Sequence, residues 1–351
     1  MTMFSLHISR RTWLSLLLLA LAWWWITIYF HFILQIAAIL FVAFLLSLAI
    51  RPLADGLARW HIPRGVTVIG VYVGLIGLAS ILGDHLVPLI TIQTEQLRTL
   101  GPALLKETLV RLTTQSWLSN WLPTLGSFSQ QIAILLNALL PKIFDTAVSL
   151  GDLTIDGLII FVLAYFFVTD GSLSERLILT VVPKVYHPHV LHYFTQIRFR
   201  LSRWILAQLA IASYLAIIWG TTLTLLGVPY AFTIALAGAV FEIIPFVGGI
   251  VALSLSLLSA LTVDPWLAVW VGIIYAVITE VQAHIVAPAL YGKAIRLHPA
   301  LMIVALFMGA KLNGLVGVFF AVPLTVIIAT LAQELQTSPS PQSLVQLGAN
   351  K

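Results

Sequence analysis

Apolar positions in this chain fall into long unbroken runs rather than onto one face of each element. Between Trp13 and Ile50 no Asp, Glu, Lys or Arg interrupts the sequence. Further apolar runs cover about 66–90, 153–169, 204–226, 231–262, 266–287 and 299–332. A helix in hydrocarbon satisfies its own backbone, and crossing a core about 30 Å thick takes about 20 apolar residues. Runs of that length, without the alternation or 3.6-residue stripe of half-buried elements, predict spanning helices. The expected fold is all-α: a polytopic membrane protein with about eight hydrophobic segments.

The run 13–50 is long enough for two spans, and Trp23, Trp24, Trp25, Tyr29 and His31 mark an expected turn at the headgroup level. Arg51, Arg59 and Arg64 follow against only Asp55. Residues 13–90 then form N-terminal membrane helices, with Arg10, Arg11 and the 51–64 loop all on the cytoplasmic side, as basic loops prefer. Residues 91–152 differ in kind. Leu97, Leu100, Leu104 and Leu112, and later Phe128, Ile132, Leu135, Leu136, Leu139 and Ile143, recur at helical spacing among balanced charges. That region is expected to be an external pair of amphipathic helices. The unit 153–226 holds two spans around a basic, cytoplasmic segment, 170–203.

Two of the remaining runs are interrupted. The run 231–262 breaks at Pro245 and Gly248-Gly249, and the run 299–332 breaks at "GAKLNGLVG". If each crosses once, Lys293 and Arg296 lie outside, against the charge rule. If each is a hairpin that enters and returns, those residues lie inside. Non-helical backbone survives at membrane depth only when buried in protein or beside a wet cavity. Two broken segments in corresponding positions are therefore the pointer to a transporter's binding site. A single kinked and tilted helix is the plainer alternative. Residues 231–332 are read as a transport core, and 333–351 as a cytoplasmic tail.

Composition agrees with the pattern. The chain is 60% hydrophobic, 9% charged and has a mean hydropathy of +1.04, whereas soluble domains are roughly one quarter charged. The net charge of +5 comes from residues scattered at helix ends, so no nucleic-acid partner is expected. The N-terminal run continues too far, without a small-residue cleavage site, to be a removable leader. No cysteine is present, which excludes disulfides and thiolate chemistry. Motifs for nucleotide binding, serine hydrolysis or zinc proteolysis are missing. No enzymatic activity, cofactor or metal site is expected. His187, His189 and His192 are read as a headgroup-facing patch.

Glu242 is the leading functional candidate, because an ionisable side chain at bilayer depth is costly and needs a reason. Beside Pro245, Gly248 and Gly249 it could bind a cation, a proton or a polar solute; it could also simply cap the broken helix. Glu280 and His284 are four residues apart and share a helix face, suiting a proton relay or an interhelical clasp. Gln282 lies on the other side of that helix and could hydrogen-bond substrate. In the second break, Asn313 could cap a half-helix or bind solute. Lys311 could pair with a carboxylate or snorkel to an interface.

Three blocks together carry a family resemblance: "IPFVGG" (244–249), "APALYGKAIRLHP" (287–299) and "GAKLNGLVGVFFAVP" (309–323). With "IRPLADGLARWHIPRG" and "YFFVTDGSLSERLILTVVP" upstream, they resemble the autoinducer-2 exporter, or PerM-type permease, family. The resemblance implies a multi-pass protein of the bacterial inner membrane, both termini cytoplasmic, assembled as a homo-oligomer. It implies export of a small polar solute, an autoinducer-2-like signal first, with sodium or lithium/proton antiport as the alternative. A non-transporting scaffold is the remaining reading. One departure stands out: Gln282 occupies a position where family members often carry a carboxylate, and His284 one where they often carry an amide.

Overall fold

The computed structural model describes residues 10–85, 88, 155–292 and 299–337, and every regular element among them is helical. The amphipathic region 91–152, Lys293, Arg296 and residues 338–351 lie outside the described residues.

The first expectation to fall is the turn at the tryptophans. Helix α1 runs without interruption from Arg10 to Ala58. The reason is local: between Arg11 and Arg51 the sequence holds no Gly, Pro, Asn or Asp, the residues that make a reversal cheap. Aromatic residues suit an interface but do not break a helix. At 1.5 Å per residue its 49 residues reach about 74 Å, more than twice the hydrocarbon thickness. Arg10 is thus held a full helix length from the 51–64 loop rather than folded back beside it.

Helix α2 covers Arg64–His85. Helix α3, Ile155–Thr169, packs along α1. It ends at Asp170-Gly171-Ser172, where the chain bends by 106° into α4, Leu173–Val181. Asp170 organises this turn. Its carboxylate accepts from the backbone N–H of Ser172 at 3.1 Å and from its hydroxyl at 2.9 Å, and pairs with Arg176. The Ser172 hydrogen bonds hold this carboxyl below the usual aspartate value.

Helix α5, His187–Leu225, is the axis of the molecule. Pro188 sits in its first turn, where the missing N–H costs nothing, and Gly227 at φ +71 with Pro229 ends it. Its first half buries Leu201 and Trp204 against Leu45 and Leu48 of α1. Its second half buries Leu215, Trp219 and Leu223 against the helices that follow.

Those helices are α6, Ala231–Phe241, and α7, Val247–Leu261. Their 11 and 15 residues span about 16 and 22 Å, each short of a crossing. They form an antiparallel hairpin. At its base the Ser259 hydroxyl donates to the Pro229 carbonyl at 2.8 Å, and at its tip the Gly249 N–H meets Glu242. Helix α8, Pro265–Val281, starts with Pro265 in its first turn and Asp264 as cap, the aspartate accepting from the Trp266 N–H at 3.3 Å. It continues through a π turn, Gln282–Val286, into α9, Ala287–Tyr291. Pro288 explains the π turn, since it cannot donate to the carbonyl four residues back and its ring crowds that carbonyl.

The last element, α10 (Pro299–Thr337), is not one straight rod. Asn313 (φ −149, ψ 35) and Gly314 (φ 56, ψ −135) leave the helical region. A Cβ on Gly309 would stand 2.7 Å from the Gly317 carbonyl carbon and 3.1 Å from the Val318 nitrogen. In a continuous helix, residues eight apart are separated by about 12 Å. The chain therefore doubles back at Asn313-Gly314, and only glycine permits the two backbones to come so close. Met302 and Leu306 of the first limb accordingly share a cluster with Val322 and Val326 of the second. By length and composition five helices among the described residues are apolar enough to span a membrane, the last of them being this reversed one.

Candidate functional site

The two hairpins approach from opposite ends of α5. The base of the α6–α7 hairpin lies at the Leu225 end, where Val228 and Ala231 join the cluster of Trp219 and Leu223. The second limb of the α10 hairpin finishes at the other end, where Glu334 accepts from His192 at 3.1 Å and lies 3.8 Å from Arg200. This is the geometry that two interrupted runs suggest in a transporter.

At the tip of the first hairpin, Glu242 closes α6 and is only 5% exposed. Phe246 takes a left-handed conformation, φ +70, to start α7, a strain of about 1 kcal/mol for a residue with a Cβ. Gly248 then passes against the backbone of the opposite limb. A Cβ there would meet the Gly238 carbonyl and the Glu242 nitrogen, and would stand 2.6 Å from the Glu242 Cα. This close passage brings the start of α7 beside Glu242, whose Oε2 accepts from the Gly249 N–H at 3.0 Å. A carboxylate at a helix N-terminus meets both an orphan donor and the favourable end of the helix dipole. Pro245 is buried in the turn itself.

Side chains from three other elements converge on this tip. Gln208 of α5, 3% exposed, donates from Nε2 to the Glu242 carbonyl. Tyr291, the last residue of α9, donates its hydroxyl to Gln208 Oε1 at 2.7 Å. Gln282, at the head of the π turn, is near enough to influence the Glu242 carboxyl. Tyr275 of α8 also stands close, for a Cβ on Gly249 would lie 2.5 Å from its hydroxyl oxygen. One helical turn before Gln208, the buried Trp204 Nε1–H has no hydrogen-bond acceptor among the described residues.

Of the residues singled out from sequence, Glu242, Pro245, Gly248, Gly249 and Gln282 come together here. Glu280 and His284 do not. They pair with each other, His284 Nδ1 lying 3.1 Å from Glu280 Oε2, on the outer face of the helix, three-quarters exposed. The spacing that puts Gln282 inward turns its neighbours two residues away outward. Asn313 and Lys311 sit at the other hairpin's tip. Lys311 lies 5.8 Å from the centre of the Phe307 ring, and Asn313 is exposed. His187 and His192 find partners in the Val182 carbonyl and Glu334. No group of His, Asp or Glu suited to a metal occurs among the described residues.

Sequence reasoning missed Gln208, Tyr275 and Tyr291. Gln208 carried a readable signal, as a lone amide in the apolar run 204–226. The tyrosines did not, because tyrosine is ordinary near membrane interfaces.

Known proteins resemble this chain along most of its length. The profile of the family described as "AI-2E family transporter" matches residues 14–337. The "Putative transport protein YueF" of Bacillus subtilis is 23% identical over 284 residues, covering 76% of this chain and 75% of that protein. The "Putative transport protein sll0063" of Synechocystis sp. is 26% identical over 298 residues, 82% of this chain and 73% of that one. The similarity to "Putative transport protein YrrI" of Bacillus subtilis, 25% identical, covers 48% of each chain, so the chain spans about half the length of that relative. With its profile matched from the first membrane helix to the end of the second hairpin, this multi-pass membrane protein belongs to the AI-2E transporter family.

Proposed function

We propose that this protein exports a small polar solute across the plasma membrane and that the tip of the α6–α7 hairpin holds the solute in transit. The observation that carries this reading is a buried carboxylate at a helix break, Glu242, bonded to the Gly249 N–H and surrounded by amide and tyrosine groups from α5, α8 and α9. The Glu242 carboxylate accepts from a polar but uncharged donor, the Gly249 N–H, with Gln282 nearby, and no ion pair to it forms among the described residues. Such a lining suits a hydroxyl-bearing or cationic solute better than an anion, which the carboxylate would repel. An autoinducer-2-like signal is the first solute to load, on the family resemblance.

The same unpaired carboxylate favours a second reading, exchange of sodium or lithium for protons. On either reading the basic N-terminal half of α5 and the C-terminal end of α10 are proposed to face the cytoplasm, as the positive-inside preference of Arg198, Arg200 and Arg203 supports. The assembly proposed is a homo-oligomer in a bacterial inner membrane.

Purified protein in liposomes, with a pH dye inside and an imposed pH gradient, tests these readings. Sodium-, lithium- or potassium-dependent proton movement that vanishes in Glu242→Gln supports antiport. Uptake or release of a labelled polar solute, lost in the same variant without a cation requirement, supports export. Correctly oriented vesicles that move neither would favour a non-transporting scaffold and count against both.

A further inference from the structure

Gln208 is a polar side chain on a buried apolar stripe. Its neighbours on that side of α5 are Leu201, Trp204, Ala207, Ile211, Ala212 and Leu215. A buried amide is costly unless its donor and acceptor atoms are both met. Here both are met, by different parts of the chain. Nε2 donates to the Glu242 carbonyl at the tip of the first hairpin, and Oε1 accepts from the Tyr291 hydroxyl.

Tyr291 has a second attachment. Its side chain packs against the cluster in which Leu45 and Leu48 of α1 and Leu201 and Trp204 of α5 meet Val322 and Val326 of the second limb of α10. A single pair of side chains thus connects a backbone carbonyl of one hairpin to an apolar cluster that α1, α5 and the other hairpin share. Immediately afterwards Gly292, at φ +58, ends the helix, and the second hairpin begins at Pro299.

We infer that Gln208 and Tyr291 are positioning residues that couple the two hairpins. When the tip of the first hairpin parts from Gln208, the amide is free to turn and no longer fixes the acceptor that holds Tyr291 on the cluster shared with the second hairpin. This coupling, which rests on reading the hairpins as the transport elements, is what a site entered from two sides requires: when one gate yields, the other must register it. Had Gln208 only capped a stray carbonyl, its effects would stay within the first hairpin.

The test exploits the absence of cysteine. Single cysteines replace three small buried residues: Ala237 in the first hairpin, Ala321 in the second, and Ala43 in the α1–α3 contact as a monitor of general loosening. Maleimide labelling of purified, monodisperse protein then reports how often each site opens. Tyr291→Phe removes the hydroxyl and keeps the ring. The expected result is labelling about fivefold faster at both Ala237→Cys and Ala321→Cys, the loss of one hydrogen bond of about 1 kcal/mol, with Ala43→Cys unchanged. Gln208→Leu is expected to act in the same direction, and adding Tyr291→Phe to it should change nothing more, because the bond is already gone. Acceleration at one hairpin only, at neither, or equally at all three positions overturns the coupling. The labelling needs no transported solute. A failure of transport in liposomes would remove the proposed function and leave this result standing, and the converse holds.

Discussion

The two hairpins of this molecule use the same device in opposite surroundings. Each reverses where glycine lets backbone pass against backbone, Gly248 against Gly238 and Glu242 in the first, Gly309 against Gly317 in the second. The first hairpin encloses one face: Ile234, Ala237, Val251, Ala252 and Leu255 are buried, and so is Glu242 at its tip, although Phe232 and Phe246 are exposed. The second presents its first limb outward, with Leu301, Ile303, Val304, Phe307 and Met308 all more than half exposed. Its tip residues, Lys311 and Asn313, are exposed too. The difference separates making a break from making a site. Glycine makes the break in both. Only enclosure forces each polar group to find a partner, and so assembles Glu242, Gln208, Gln282 and Tyr291 in one place.

The glycines offer the largest effect by which this comparison can fail. Gly248→Ala drives a methyl into the backbone of the opposite limb at Gly238 and Glu242 and is expected to cost about 3 kcal/mol, read as a fall in thermal stability in detergent. In Gly317→Ala the outer limb can move away, so the expected cost is about 1 kcal/mol. Equal losses would show that the second hairpin is as tightly held as the first.

Next comes the tip. Glu242→Ala leaves the Gly249 N–H without its acceptor and is expected to destabilise by about 1–3 kcal/mol. Glu242→Gln keeps an acceptor there and should cost less than about 1 kcal/mol, while abolishing transport in liposomes. If both variants unfold alike and transport persists in Gln, the carboxylate is a cap and nothing more.

Within the first hairpin, Ser256 accepts from the buried Trp219 indole at 3.0 Å. Ser256→Ala should cost about 1 kcal/mol, visible in the same melts. Lys311→Met on the second hairpin is its exposed counterpart. Replacing a cation over one ring is expected to change stability by about 0.5 kcal/mol or less. Of the same small order is Glu334→Gln at the base of the second hairpin, where a partly exposed contact with His192 and Arg200 contributes about 0.2–1 kcal/mol and fades with added salt.

Much of this was legible because membrane sequences are governed by few rules. Every lipid-facing backbone group must be satisfied within its own helix, so run length and break position carry over directly into helices. The runs expected at 231–262 and 299–332 are hairpins with their reversals at Pro245–Gly249 and Asn313-Gly314. Misreading 13–50 as two spans shows the limit of run length: a long run divides only where a residue makes turning cheap, and none is present there. The pairing of Glu280 with His284 was read from four-residue spacing, and it forms.

What sequence could not weigh is direction around the helix axis and partnership across the bundle. Helical spacing put Gln282 on the opposite side from Glu280 and His284, but only the packing of α8 against the hairpin made Gln282 the inward one. Gln208 and Glu242 are 34 residues apart, and Gln208 and Tyr291 are 83 apart; no local pattern encodes such contacts. By itself, the sequence determined the solvent, the helices and the places where they break, because those follow from hydrocarbon length and backbone chemistry within a few residues. Tertiary structure alone decided which break is enclosed and which polar groups meet there, because burial belongs to the assembled bundle rather than to any segment of it.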